Sequence, residues 1–401
     1  MSISLACPSL CHSRSIDLSV KVYNSISQID EGVWKSLIPR EHTLMQHAYL
    51  NMLEKLHAHA MKFRYVTVYE RDELVGCIYF QIVNFSGKQL TPYIPRNFST
   101  LSSAVTAGVL RQLRARLLVC GNVFMTGEDG CYFANSPDVV KRTQILNRAI
   151  NEIMYQKSAD AVLLGDIYSE SNKFDDLTLL QQYHLIHIES DMTMDMHAEW
   201  KSFDDYLASL SSKYRVRAKR VYTICREAGV MMRDADELMI RDLQHQLYAL
   251  YTQVMDKSRF SLARVSPNFF LEHKKILGNR YKVYTYYLHQ DLIGFITAIH
   301  TAGRLEIHYT GMQHNLARAL HLYQRMMYDM VNLGISLGVK RLHFGRTAPE
   351  IKSTIGATPV PMHGYLKHRH PLINYCIIKP LSSRLKPPAY LYRNPFKEVH
   401  Q

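Results

Sequence analysis

The chain has 401 residues, 47% hydrophobic and 21% charged, which suits a folded protein too long for one compact core, so two domains are expected. Its 48 Lys and Arg against 35 Asp and Glu leave +13, which points to an anionic partner such as cofactor phosphates, RNA or an anionic membrane surface. Seven scattered cysteines, with no CxxC pair and no zinc spacing, exclude a disulfide framework and a zinc site, and no metal is expected. No apolar run reaches the roughly 20 residues of a spanning helix, and the start lacks the basic residues of a signal peptide. A cytoplasmic protein, at most peripheral at the inner face of a membrane, is expected.

In chain order, "VKVYNSI" reads as a strand, followed by helices in "SQIDEGVWKSLI" and "HAYLNMLEKLHAHA". "KFRYVTVYERDELVGCIYFQIV", Lys62 to Val83, is a β-hairpin. A long helix and a buried strand ending in glycine follow in "RTQILNRAINEIMYQKSADAVLLGDIY". Near Trp200 the pattern restarts. Ser202 and Asp205 form a capping box opening the helix "SFDDYLASLSSKYRVRAKRVYTICREAG". Then come the strand "GVMMRDA", the helix "DELMIRDLQHQLYALYTQVM" and the helix "SPNFFLEHKKIL", with Ser266 as N-cap and Pro267 at its first position. A second hairpin, "RYKVYTYYLHQDLIGFITAIHT", precedes another long helix and a strand ending at Gly345. The same order thus occurs twice, which is the mark of an internal repeat. Domains are expected at 1–200 and 201–401. Gly76 to Gly165 spans 89 residues and Gly294 to Gly345 spans 51, so the first half carries an insert near 84–130, which includes the proline-broken "TPYIPRNFSTLSS".

Two groups of residues suggest chemistry. On the basic helix Lys213, Arg217 and Arg220 share a face, with Arg215, Lys219 and Arg226 beside them, and clustered guanidinium and ammonium groups attract phosphate. In "HFGRTAPEIKSTIGATPVPM" a strand ends on Gly345, followed by Arg346, Thr347 and Lys352, before Pro359 and Pro361 lead into a strand carrying Tyr365. The carboxyl ends of strands are where ligands settle in α/β layers. Glu306 and His308, in "LEIHYTG", alternate along a strand and are candidates for acid/base work. No Ser-His-Asp order, HExxH or Walker loop competes with them.

The segment "LYQRMMYDMVNLGISLGVKRLHFGRTAPEIKSTIGATPVPMHGYL" resembles the C-terminal half of Fem-type peptidyltransferases and their relatives in the GNAT superfamily, through Phe344, Gly345, Arg346, Thr347, Lys352, Gly356, Pro359, Pro361 and Tyr365. The helix "SSKYRVRAKR" is similar to the Lys/Arg-rich helix that opens the same half there. The resemblance implies an α/β (α+β) fold of two tandem GNAT-like domains, each a mixed, mostly antiparallel central sheet flanked by helices. It implies an acyltransferase without a permanently bound cofactor, taking an acyl group from acyl-CoA, an acyl carrier protein or aminoacyl-tRNA to an amine of a cell-envelope or lipid-linked precursor, as in peptidoglycan biosynthesis. The glycine-rich pyrophosphate loop of acetyl-CoA enzymes is missing from "QHNLARALHLY". Within that frame, Gly345, Arg346, Thr347, Lys213, Arg215 and Arg217 are expected at the donor or its phosphates. Lys352 is expected at the phosphate or the oxyanion, and Tyr365, Glu306 or His308 at the proton. The alternatives are a non-catalytic scaffold of the same fold and an RNA-binding protein, and tRNA and an anionic membrane are the expected macromolecular contacts.

Overall fold

The computed structural model describes residues 18–93, 108, 111–127, 130–135, 137–171, 182–258, 261–301, 303–383, 387 and 389–397. The proline-broken loop of the first half falls mostly outside the described residues.

The first half begins with strand β1 (Leu18–Tyr23), helices Glu31–Leu37 and His47–His57, and the hairpin β2 (Lys62–Glu70) and β3 (Glu73–Ser86). Its two-residue turn takes positive φ at both Arg71 and Asp72, the twist that suits a tight hairpin. β4 (Arg114–Cys120), β5 (Cys131–Phe133), the helix Val139–Tyr155, β6 (Ala161–Tyr168) and β7 (His184–Asp195) complete it. Asp138 caps the long helix by accepting from the Lys141 amide, and Ile145, Leu146, Ala149, Ile150 and Ile153 bury one stripe of it. β3 is buried from Gly76 to Val83, as expected of a strand covered by helices on both faces.

The second half repeats the order: β8 (Val230–Asp234), β9 (Tyr281–Leu288), β10 (Asp291–Thr301), β11 (Arg304–Met312), the helix Leu322–Ser336, β12 (Arg341–His343) and β13 (Thr358–His368). Within each half every pairing is antiparallel until the last, where β4 runs parallel to β6 and β11 parallel to β12. The expected repeat and the mixed, mostly antiparallel sheet are both present.

The halves do not close separately. The described strands form one sheet in the order β1-β2-β3-β4-β6-β13-β7-β12-β11-β10-β9-β8, with β5 beside β3. β7 and β13 hold equivalent places in the repeat, pair with each other in the middle, and each pairs outward with the other half's strand. One face carries a continuous core to which both halves contribute, from Trp34 and Leu50 to Phe269 and Phe295. The other face carries two cores, one under Val139–Tyr155 and one under Leu322–Ser336.

Three local expectations need correction. The basic helix is broken into Phe203–Ser209 and Ser212–Glu227. The break faces the C-terminal tail, because Leu210 bridges to Phe396 and the Ser211 amide donates to Pro395 O at 2.9 Å. The helix expected after β8 kinks at Leu243, giving Glu237–Asp242 and Gln244–Met255, and so keeps both Ile240 and Leu247 buried. Ser266 is not the N-cap of the next helix: Asn268 stands there, and the buried Ser266 hydroxyl finds no partner among the described residues. The capping box of Ser202 and Asp205 is present in full.

Candidate active site

β12 is short because its continuation turns away at Gly345, whose φ of 74° is open to glycine at no steric cost. Before it turns, the strand is held to β7: the Phe344 amide donates to Met192 O at 2.8 Å and the Met192 amide to Gly345 O at 3.2 Å. Thr347 is exposed, and the short helix Pro349–Ser353 brings Lys352 back under the loop. Its amine donates to Phe344 O at 2.5 Å and Gly345 O at 3.0 Å, and the residue is only 2% exposed. Lys352 therefore closes the glycine turn on itself.

Burial lowers the Lys352 pKa to about 7; Asp191 and Glu189 oppose that shift and Arg346 adds to it. A lysine near neutrality exchanges protons at ordinary pH. Arg346 leaves the loop towards the first half, where it donates to Asp166 on β6 at 2.7 Å. Asp166 follows Gly165, which lies within β6 and not at its end as expected, and Arg346 follows Gly345, so equivalent positions of the repeat pair across the seam with opposite charge.

Beside this loop lies a buried acid. Asp191 on β7 is 0% exposed, and one of its oxygens accepts from His343 Nδ1 at 2.8 Å and from the Tyr168 hydroxyl at 2.9 Å. Its other oxygen has no partner among the described residues. With Nδ1–H donating to this carboxylate, the imidazole's lone pair is directed to Nε2. That nitrogen is buried and has no partner among the described residues. Glu306 pairs with His343 across β11 and β12, its carboxyl 3.8 Å from Nδ1. Burial raises the Glu306 pKa, against the pull of His343 and Arg304. Burial also raises Tyr168, helped by Asp191 and Glu306, so its hydroxyl remains a donor.

The centre thus unites Glu306, Gly345, Arg346 and Lys352, which the sequence singles out, with Asp166, Tyr168, Asp191 and His343, which it does not. The missed residues had a faint signal: "GDIY" and "HFGRT" are the equivalent strand ends of the repeat, and their polar residues oppose one another.

Five expected residues lie elsewhere. Tyr365 pairs with Leu185, five residues along β13 from the Val360 that faces Asp191, or about 16 Å at strand rise. It packs in the core under Val139–Tyr155, and Tyr168 stands at the centre in its place. His308 is on the Glu306 strand but donates from Nε2 to Phe124 O at 3.0 Å within a pile of Phe269, Tyr309 and His273 rings. Burial takes its pKa to about 4, so it is a neutral packing group. The basic helix packs on Leu322–Ser336, and no hydrogen bond or ion pair among the described residues ties it to Lys352 or Arg346. Lys213 and Arg217 are exposed and Arg215 partly so, and none has an acidic partner among the described residues. With the Gln324 amide turned so that its oxygen faces the helix, it accepts from Arg217 Nη2 at 2.6 Å.

No family profile matches the chain, and no curated protein matches it. Similar solved structures include FemX (TM-score 0.49, 11% identity, 82% of this chain and 94% of that one). They also include L-PGS from Bacillus licheniformis (0.46, 11%, 82% and 96%) and a tandem GNAT protein from the clavulanic acid biosynthesis pathway (0.48, 9%, 88% and 98%). At such identities and scores the chemistry rests on the residues of this chain.

Proposed function

We propose that the chain is an N-acyltransferase or aminoacyltransferase that moves an acyl group from an activated carrier to an amine. The carrying observation is the buried Asp191–His343 pair with its unengaged Nε2, on the strand that leads within three residues to Gly345 and the Asp166-paired Arg346. In this reading His343 removes a proton from the acceptor ammonium, and Asp191, held by Tyr168, stabilises the imidazolium that results. The freed nitrogen attacks the carbonyl, a C–N bond forms, and the C–O bond of an aminoacyl ester or the C–S bond of a thioester breaks. His343 returns its proton to the leaving oxygen or sulfur. Arg346 supplies the donor for the developing oxyanion. Lys352 sets the loop that carries Arg346, and Glu306, whose pKa burial raises, is a second acid/base group 3.8 Å from the imidazole.

The donor is acyl-CoA, an acyl carrier protein or aminoacyl-tRNA, with Lys213, Arg215 and Arg217 as the phosphate contacts and no permanently bound cofactor. The acceptor is an amine of a cell-envelope or lipid-linked precursor, met in the cytoplasm or at the inner face of the membrane. The domains are 1–200 and 201–401, with the insert near 84–130. The test is calorimetric titration with acyl-CoA and, separately, with charged and uncharged tRNA, followed by single-turnover transfer to an amine. His343→Ala should bind the donor as the parent does and lose transfer. Donor binding with transfer undiminished in His343→Ala refutes the mechanism. RNA binding without transfer in the parent chain favours the RNA-binding alternative, to which the unpaired cations of Ser212–Glu227 are suited.

A further inference from the structure

Residues 371–382 form an unbroken helical run in which the segments Pro371–Ile373 and Lys379–Ser382 flank the wider turn Asn374–Ile378. Asn374, Ile378, Leu381 and Ser382 face inward. Asn374 pins the run, donating to Gln182 O at 2.9 Å and accepting from the His368 amide at 2.9 Å. The outward stripe, at spacings of three, four and seven residues, is Leu372, Tyr375, Cys376 and Lys379. Leu372 is 68% exposed and Tyr375 51%. Together they set an apolar and an aromatic side chain side by side on the open face of a firmly pinned helix.

The charges around the stripe identify the cover. Arg369 and His370 are exposed immediately before it and Lys379 closes it, and from Ile351 to Lys397 the sequence contains no Asp or Glu. A second copy of the chain docking by two-fold symmetry would set these cations against each other. An anionic bilayer matches them. A leucine, an amphipathic tyrosine ring and flanking Lys/Arg are the side chains that sit at the level of lipid headgroups. No helix among the described residues is long and apolar enough to cross a membrane, so such an attachment is peripheral. The geometry points to the 371–382 face as a docking surface for an anionic lipid bilayer. It lies apart from the active centre, since His368 at its entrance is eight residues along β13 from Val360, about 25 Å. The inference stands independently of the acyl-transfer reading.

Sedimentation of the full chain with vesicles of phosphatidylcholine alone, and of equimolar phosphatidylcholine and phosphatidylglycerol, tests it. The chain should bind only the second, and less as salt rises. Leu372→Ser with Tyr375→Ser should weaken that binding about tenfold, and Lys379→Gln about fivefold. Leu372 and Lys379 point outward and Tyr375 meets the fold only at the edge of His184, so the thermal midpoint should move little, and transfer to a soluble amine should be unaffected. Failure to sediment with the anionic vesicles, or equal binding to both kinds, overturns the inference. A concentration-dependent dimer lost in Leu372→Ser overturns it as well, because the cover is then a second copy.

Discussion

Replacing Lys352 with Met separates two effects that the structure places on one side chain. The amine satisfies two backbone carbonyls, at 2.5 and 3.0 Å. Removing it leaves Phe344 O without that donor, while Gly345 O keeps the Met192 amide, a loss of about 1–3 kcal/mol. Against that stands the burial of charge, which lowers the Lys352 pKa from 10.5 to about 7. The unfolded chain holds the proton up to about pH 10.5 and the folded chain releases it near pH 7, so the unfolded state binds more protons between those limits. Stability therefore rises with pH through that window. Between pH 7 and 10 the contribution is about 4 kcal/mol at 1.36 kcal/mol per unit. Urea unfolding at pH 6, 8 and 10 reads the difference between parent and Lys352→Met. The variant should exceed the parent by about 1–3 kcal/mol at pH 6 and fall below it by about 1–3 kcal/mol at pH 10. A difference that stays constant with pH refutes the argument, since it means that the lysine is charged and compensated throughout.

The remaining predictions concern the centre and its supports. Asp191→Asn should lower transfer by about 10²–10⁴ with little change in donor affinity, because His343 loses the group that stabilises its imidazolium; rate and affinity falling together argue against that role. Gly127→Ala should cost about 1–3 kcal/mol, since the site has φ +77° and its Cβ would lie 2.5 Å from the Tyr168 hydroxyl. Gly229→Ala, at φ +80° with nothing nearby, provides the control: it carries the backbone strain alone and should leave transfer unchanged. His57 and His308 both fall from 6.5 to about 4 through burial. The unfolded chain is protonated first, so stability is lost as pH drops from about 6.5 towards 4, by about 3 kcal/mol for each at most. His57→Phe, which keeps the stack on Phe124, should flatten its share of that loss in acid unfolding curves.

How far the sequence revealed this arrangement depended on distance along the chain. Both hairpins, the long helices and the capping box rest on local periodicity and local turn chemistry, and they stand where the residues place them. Lys352 and Arg346 drew notice through their spacing from Gly345. What escaped was carried by pairing across more than a hundred residues. Asp191 opens "DMTMD", just ahead of the buried Met192 and Met194, and reads as an ordinary strand residue until β12 lays His343 against it. Tyr365 illustrates the opposite failure: it matches a motif by spacing, yet the register of β13 against β7 carries it along the strand and out of the centre. Alternation told which residues of β11 share a face. It did not show that Glu306 would meet an imidazole while His308 met a backbone carbonyl.

The exchange of β7 and β13 gives the two halves a shared electrostatic fate. Asp191 comes from the first half and is wholly buried, a state that costs several kcal/mol for an unpaired carboxylate. Its partner His343 and the amine of Lys352 come from the second half, and Arg346 of the second half answers Asp166 of the first. Each half alone therefore holds charges that its own residues do not match, and only the completed sheet brings them together. Residues that are costly to bury apart and stable together are held there by the whole fold. Such a centre can hold the buried His343 in a fixed orientation, which a site built on one mobile loop could not.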